Sequence, residues 1–419
     1  MMFRKACVAL CLGIPGLFAL PTADGQVPGI DLKALTSGET PVTIPGATPP
    51  PVVVSTSGIP EVDAALKRWD DLRDQMIQTQ VDYKSAKPED RQGILDKFAK
   101  LKADGEKFRP ELVKVMEMGL KKDPKNAAVT NFIASYANSL FTADDYEEAL
   151  RVAELLIAAD YSNKRIYSLA GRAAFKSNDF EKAEKYFKIA QDSSALDGLA
   201  DRESRLIPAY KTLWKKEQEL RAAEAKLTGD QALPRVVLKT NEGDIVLELF
   251  ENEAPQTVAN FISLVEKKFY DGLTFHRVIP GFMMQGGDPK GDGSGGPEYQ
   301  IPCECYKENR RLHFRGVISM AHSGKDTAGS QFFITFEPRA MLDGKAVNPE
   351  NENSPHTVFG RVVSGLDVLS KIQRRDPSGG HGRSGPLPVP DKIIEAKVLN
   401  KRNHPYEPTK VVAPTPPSF

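Results

Sequence analysis

The chain has 419 residues, 40% of them hydrophobic and 27% charged, enough apolar material to bury more than one core. Its 56 Lys and Arg balance its 56 Asp and Glu, so the formal net charge is zero and charge-driven binding to nucleic acid or an anionic membrane is excluded.

The first segment, MMFRKACVALCLGIPGLFALPTADGQ, places Arg4 and Lys5 before an apolar run to Leu20 and then small residues around Ala23 and Gly25. That order predicts a secretory signal peptide over 1–25. A membrane anchor is the rival, but the run falls short of the roughly 20 apolar residues a span needs, and Pro15-Gly16 breaks it. No stable membrane insertion is expected after cleavage, and the mature chain is expected to be periplasmic or secreted. Of four cysteines, Cys303 and Cys305 would then remain. A bridge between residues two apart is strained, and two thiols are too few for a structural zinc site, so a free or exposed thiol pair is expected, with metal or redox chemistry the minor alternative.

Residues 26–60 are rich in Pro, Thr, Gly and Val without period, and are expected to be an extended linker. From 61 to 227 the chain turns charged and Ala-rich, which predicts consecutive helices with breaks near Pro88, Pro124, Asp144, Asn163 and Asn178. Within it DDYEEALRVAELL and NDFEKAEKYFKIA align with Asp145 and Asp179 34 residues apart. Tyr146 matches Phe180, Ala149 matches Ala183, and Ala137 matches Gly171. Small residues at fixed offsets let paired helices approach, and the region resembles a tetratricopeptide (TPR-like) repeat. A third period has Glu217 where the small residue belongs. The block is either a partner-binding groove, with Arg165 and Arg172 facing an acidic peptide, or a helical spacer whose arginines are solvated.

Between Thr228 and Pro234 the pattern changes from helical to alternating, predicting a domain boundary and a second domain over 235–400. Strands are expected on either side of the turn Asn241-Glu242-Gly243, then in GVISMAH, SQFFITF, HTVFGRVV and KIIEAKVL. APQTVANFISLVEKKFY reads as an amphipathic helix with Val258, Phe261, Ile262 and Val265 on one face. Many short strands with few helices predict a closed barrel capped by helices. The Pro-rich residues 401–419 are expected to be disordered.

Familiar chemistries fail in this second domain. The run GDGSGG does not lead from strand to helix, so it is no phosphate cradle. The loop from Asp288 has Lys290 and Tyr299 where a calcium loop has ligands. Ser330 lies outside a G-x-S-x-G elbow, and the histidines lack H-E-x-x-H spacing. What remains is Arg277, Gln285, Gln331 and His356 with the apolar Phe282, Met283, Phe333 and Leu342, and no nucleophile among them. Such a set can hold an apolar group and hydrogen-bond a backbone. Rotation about the bond preceding proline needs no more than that, and no cofactor.

The blocks FHRVIPGFMMQGGDP, SMAHSGKDTAGSQFFITF, LDGK and HTVFGRVVSGLDVL resemble, in order, the signature segments of cyclophilin-type peptidyl-prolyl cis-trans isomerases, over roughly Arg235 to Leu399. The resemblance implies an eight-stranded antiparallel β-barrel with two capping helices, preceded here by the all-α region. It implies that Arg277 is the catalytic arginine and that Gln285 anchors the peptide backbone and helps hold Arg277. His356 would close the far wall. Phe282, Met283, Phe333 and Leu342 would line the proline pocket, with Gln331, His322 and Met341 along the substrate groove. The family also implies proline-containing polypeptides as substrates and a role in folding exported proteins. Met341 stands where many relatives have tryptophan, which implies weak cyclosporin binding, and the insertion Ala346 to Pro355 is expected to be an enlarged surface loop. The alternative is a non-catalytic peptide-binding scaffold or holdase.

Overall fold

The computed structural model describes residues 56–347, 351, 353–378 and 387–411. The expected signal peptide and most of the expected linker lie outside these. Helices follow in chain order: α1 (Pro60–Ser85), α2 (Arg91–Lys122), α3 (Ala127–Thr142), α4 (Tyr146–Ala158), α5 (Arg165–Lys176), α6 (Phe180–Asp192) and α7 (Gly198–Glu224). Pro60 opens α1 at a position where its missing N–H has no helical partner to lose. The breaks before α4 and α6 fall where Asp144 and Asn178 adopt φ of 63° and 68°, a conformation Asp and Asn tolerate best among non-glycine residues. Helices α4 and α6 therefore start 34 residues apart, at Tyr146 and Phe180, as the period predicts.

Close packing explains the small residues. A Cβ on Gly171 of α5 would stand 2.5 Å from the Phe187 ring of α6. One on Gly119 of α2 would meet Val62 of α1 at 2.8 Å. The third period departs from the pattern because α7 is one long helix rather than a hairpin, and Glu217 on it is buried.

The described residues group into two units, 56–142 with 148–169, and 143–147 with 170–378 and 387–411. The helical stretch 170–227 thus packs with the β-domain, although the change in sequence pattern lies at 228–234. Phe314 is the hub of that packing: its ring lies 4.7 Å from Trp214, 6.2 Å from Tyr210 and 6.4 Å from Phe180. Arg311, fully buried, donates to both Glu217 oxygens at 2.8 Å and also pairs with Glu224. Glu224 continues to Arg361 at 2.7 Å. Arg172, expected either to face an acidic peptide or to be solvated, instead pairs with Glu203 at 3.3 Å, because α7 lays that carboxylate against α5.

The second unit contains eight strands: β1 (Arg235–Thr240), β2 (Gly243–Leu249), β3 (Arg277–Ile279), β4 (Met283–Gly286), β5 (Val317–Met320), β6 (Phe332–Thr335), β7 (Val358–Ser364) and β8 (Ile393–Asn400). They form one sheet in the order β3-β4-β6-β5-β7-β2-β1-β8, with antiparallel pairing throughout. The sheet curls until its ends meet: Phe275 N donates to Asp391 O and Ile393 N to Leu273 O, both at 2.8 Å, and Thr274 bridges Lys392. Closure of this kind removes the exposed edges. Alternation sends Val236, Leu238, Ile245, Leu247, Met284, Phe332 and Ile334 into the barrel core. Helix α8 (Pro255–Glu266) plugs one opening with Val258, Phe261, Ile262 and Val265, and the short α9 (Val368–Lys371) adds Val368 and Leu369.

The tail is a correction. Residues 401–411 are held, not disordered: Tyr406 is buried and its hydroxyl donates to Glu251 at 2.9 Å, while Val411 pairs with Gln300. An aromatic side chain and a buried carboxylate outweigh the proline content there. Residues 412–419 lie outside the described residues.

Candidate active site

The side of the sheet away from the core carries the predicted residues. In the β3–β4 hairpin Arg277 faces Gln285 and Ile279 faces Met283, and across the next ladder Gln285 faces Phe333. Paired positions share a face, so these five side chains project together while Val278, Met284 and Phe332 point into the barrel. Ile279, Met283, Phe333 and Leu342 form an apolar cluster separate from the barrel core, with Phe282 and Ala321 packed against it. The sequence pattern alone could not separate these apolar residues from core; the register does.

Polar groups frame this cluster. Arg277 stands with its guanidinium carbon 6.0 Å from the centre of the Phe282 ring and has no ion-pair partner among the described residues. Gln285, expected to help hold Arg277, makes no hydrogen bond to it among the described residues. Gln285 Nε2 instead donates to Gln331 Oε1 at 3.0 Å, and Gln331 donates to Gly293 O and Gly295 O, each at 2.9 Å. The glycine loop is itself tied by buried Asp288, whose carboxylate accepts N–H bonds from Lys290, Asp292 and Gly293.

His356 lies edge-on to Phe333 at 5.5 Å and stacks on His322 at 4.0 Å. Its Nδ1 lies 3.0 Å from Met320 O, an acceptor, so Nδ1 carries the ring proton. Burial, helped by the neighbouring His322, depresses its pKa to about 4, and the ring is neutral at physiological pH. Leu342 belongs to the pocket, but Met341 beside it turns outward and is 48% exposed, outside the apolar cluster.

Two positioning residues escaped the sequence reading. His313 and Asp343 are buried and joined at 2.6 Å through Nδ1, while His313 Nε2 meets Ser319 Oγ at 2.9 Å. The His313 ring stacks on Phe333, 5.8 Å between centres and 12° between planes, so this pair backs the pocket floor. Asp343 sits in the LDGK block, which was the only signal for it. The insertion after that block is also more than a surface loop: the buried Asn351 amide donates to Ala340 O, Met341 O and Gly344 O at 2.9 to 3.1 Å.

Residues 235–398 match the family model for cyclophilin type peptidyl-prolyl cis-trans isomerases. A peptidyl-prolyl cis-trans isomerase of Synechococcus elongatus is 53% identical over 167 residues, which is 40% of this chain and 97% of that protein. Peptidyl-prolyl cis-trans isomerase B of Bacillus subtilis is 52% identical over 132 residues, 32% of this chain and 85% of the relative. A Cryptosporidium parvum cyclophilin crystallised in the presence of the dipeptide Ala-Pro is 30% identical, covering 40% of this chain and 99% of that one, with a TM-score of 0.33. The chain belongs to the cyclophilin-type peptidyl-prolyl cis-trans isomerases.

Proposed function

We propose that this isomerase acts on X-Pro bonds of polypeptides outside the cytoplasm and assists their folding, with Arg277 as the catalytic group. The observation that carries the reading is an unpaired guanidinium beside a four-residue apolar cluster. Peptide rotation is opposed by a barrier of about 18–20 kcal/mol, because the nitrogen lone pair is delocalised into the carbonyl. The pocket of Phe282, Met283, Phe333 and Leu342 holds the proline ring, and Gln285 with Gln331 holds the flanking backbone. Arg277 then donates toward the proline nitrogen as it pyramidalises in the twisted state, drawing the lone pair out of conjugation. Only the excess of this bond in the twisted state over the planar one raises the rate, about tenfold for each 1.36 kcal/mol. Neutral His356 closes the pocket without adding a charge that would compete with Arg277.

Export rests on residues 1–25 with their basic start, apolar run and small-residue end. The 34-residue repeat supports a protein-binding role for the helical region, in which Arg172, occupied by Glu203, has no part. Refolding of a protein limited by proline isomerisation tests the role: the slow phase accelerates with the full chain and not with Arg277→Ala. Equal acceleration by both removes Arg277 from the mechanism.

A further inference from the structure

The sequence offers two neighbouring thiols and no histidine beside them in the chain. Folding supplies one. Ligand atoms of Cys303, Cys305 and His322 all lie within 4.8 Å of one another. We propose that these three residues form a Zn²⁺ site beside the isomerase pocket, with a fourth coordination position open to water.

The cysteines are two apart where the chain enters the Glu304–Lys307 turn, which brings both thiols close to one another and to His322. The intervening Glu304 points the other way, where its carboxylate accepts from Thr257 N at 2.9 Å and Thr257 Oγ1 at 2.8 Å. That anchor fixes the segment and leaves both thiols facing the 322–327 loop. Both are free, Cys305 buried and Cys303 partly exposed, so an ion enters from the Cys303 side. Tetrahedral zinc, with Zn–S near 2.3 Å and Zn–N near 2.0–2.1 Å, needs ligand atoms roughly 3.3–3.8 Å apart.

The outer contacts of a metal site are also in place. Cys303 N donates to Asp326 Oδ1 at 2.7 Å, and Asp326 N donates back to Cys303 Sγ at 3.1 Å. The second bond supports a thiolate on Cys303. His322 Nε2 lies 3.0 Å from Pro355 O, which only accepts, so Nε2 carries the proton and Nδ1 keeps the lone pair. Only the Gly324 N–H meets that lone pair, at a long 3.3 Å. The imidazole is therefore set in the ligating tautomer with its ring orientation fixed.

Ligand type selects the ion. Two sulfurs and one imidazole suit a thiophilic, borderline-soft cation and disfavour Mg²⁺ or Ca²⁺, which take oxygen ligands. Binding releases two thiol protons to solvent, and two thiolates then neutralise the divalent charge, which makes the buried site electrostatically acceptable. Because His322 stacks on His356, an ion held there also fixes the orientation of a pocket wall.

Co²⁺ titration of the full-length reduced chain tests the site, with Zn²⁺ as competitor. The expected result is a single equivalent giving near-ultraviolet thiolate charge transfer and tetrahedral visible bands, bleached by Zn²⁺. Cys303→Ser should remove most of the charge transfer, and His322→Asn should shift and weaken the visible bands. Cys303→Ser retains isomerase activity, which certifies its fold, and a second variant, Cys305→Ala, repeats the loss. Absence of thiolate bands in the wild type, or the same bands in Cys303→Ser, overturns the proposal.

Discussion

The carboxylate of Asp144 accepts the backbone N–H of Gly281 at 2.8 Å, tying the turn before α4 to the corner that precedes Phe282. The same carboxylate accepts from Tyr146 OH at 2.7 Å and pairs with Arg374 at 2.7 Å. Arg339 donates to Gly281 O from the other side and pairs with Glu337, which also meets Tyr146 and Lys176. The corner of the β3–β4 hairpin is thus held by a buried polar network whose members come from both helix and barrel.

Asp144→Gly tests that network, since glycine accepts the φ of 63° but supplies no carboxylate. Leaving Arg374 uncompensated should lower stability by about 3 kcal/mol and raise KM for a proline peptide several-fold through Phe282. Asp144→Asn keeps an acceptor and the backbone conformation, and should recover most of the KM. Equal KM in all three proteins would show that the corner does not depend on Asp144.

Glu217 sits where the repeat pattern has a small residue, so Glu217→Ala moves the sequence toward the pattern. It also strips buried Arg311 of its bidentate partner. Denaturant unfolding should show a loss of about 3–5 kcal/mol. A neutral result would mean that Glu224 alone satisfies Arg311.

The two N–H groups of the Asn351 amide are shared among three carbonyls of the segment that carries Leu342. Asn351→Ala should therefore raise KM about two- to five-fold with kcat little changed, since the proline pocket loosens while Arg277 is untouched. A fall in kcat at constant KM would place Asn351 in a different role.

The depressed pKa of His356 fixes the direction of a pH effect. The unfolded ring takes a proton near 6.5, the native ring only near 4. This contribution to stability is complete above 6.5 and is lost as pH falls through 4, reaching about 3 kcal/mol. With chelator present, wild type should lose stability over that window more steeply than His356→Phe. Parallel curves would show that His356 is not buried neutral.

The repeat period, six of the eight strands and the ordered signature blocks were legible because each is local: spacing, alternation and short motifs survive in one dimension, whereas the short strands β3 and β4 carry no alternation long enough to read. Cys303, Cys305 and His322 were not legible as a set, since their proximity depends on the 322–327 loop folding back over residues 303–305. The His313–Asp343 pair was hidden for the same reason, with its partners brought together only by the β5 and β6 ladder. The partner of Gln285 needed the glycine loop to be placed. The tail was misjudged because proline content says nothing of what Tyr406 can reach.

The central claim is that Arg277 stabilises the twisted peptide bond within an otherwise intact pocket. A protease-coupled assay on a proline-containing tetrapeptide, comparing wild type with Arg277→Ala, measures this most directly. A fall of about 100-fold or more in kcat/KM, carried by kcat with KM little changed, is the predicted result, equivalent to roughly 2.7 kcal/mol of lost transition-state stabilisation. Undiminished kcat in Arg277→Ala, or no rate above background in the wild type, would contradict it.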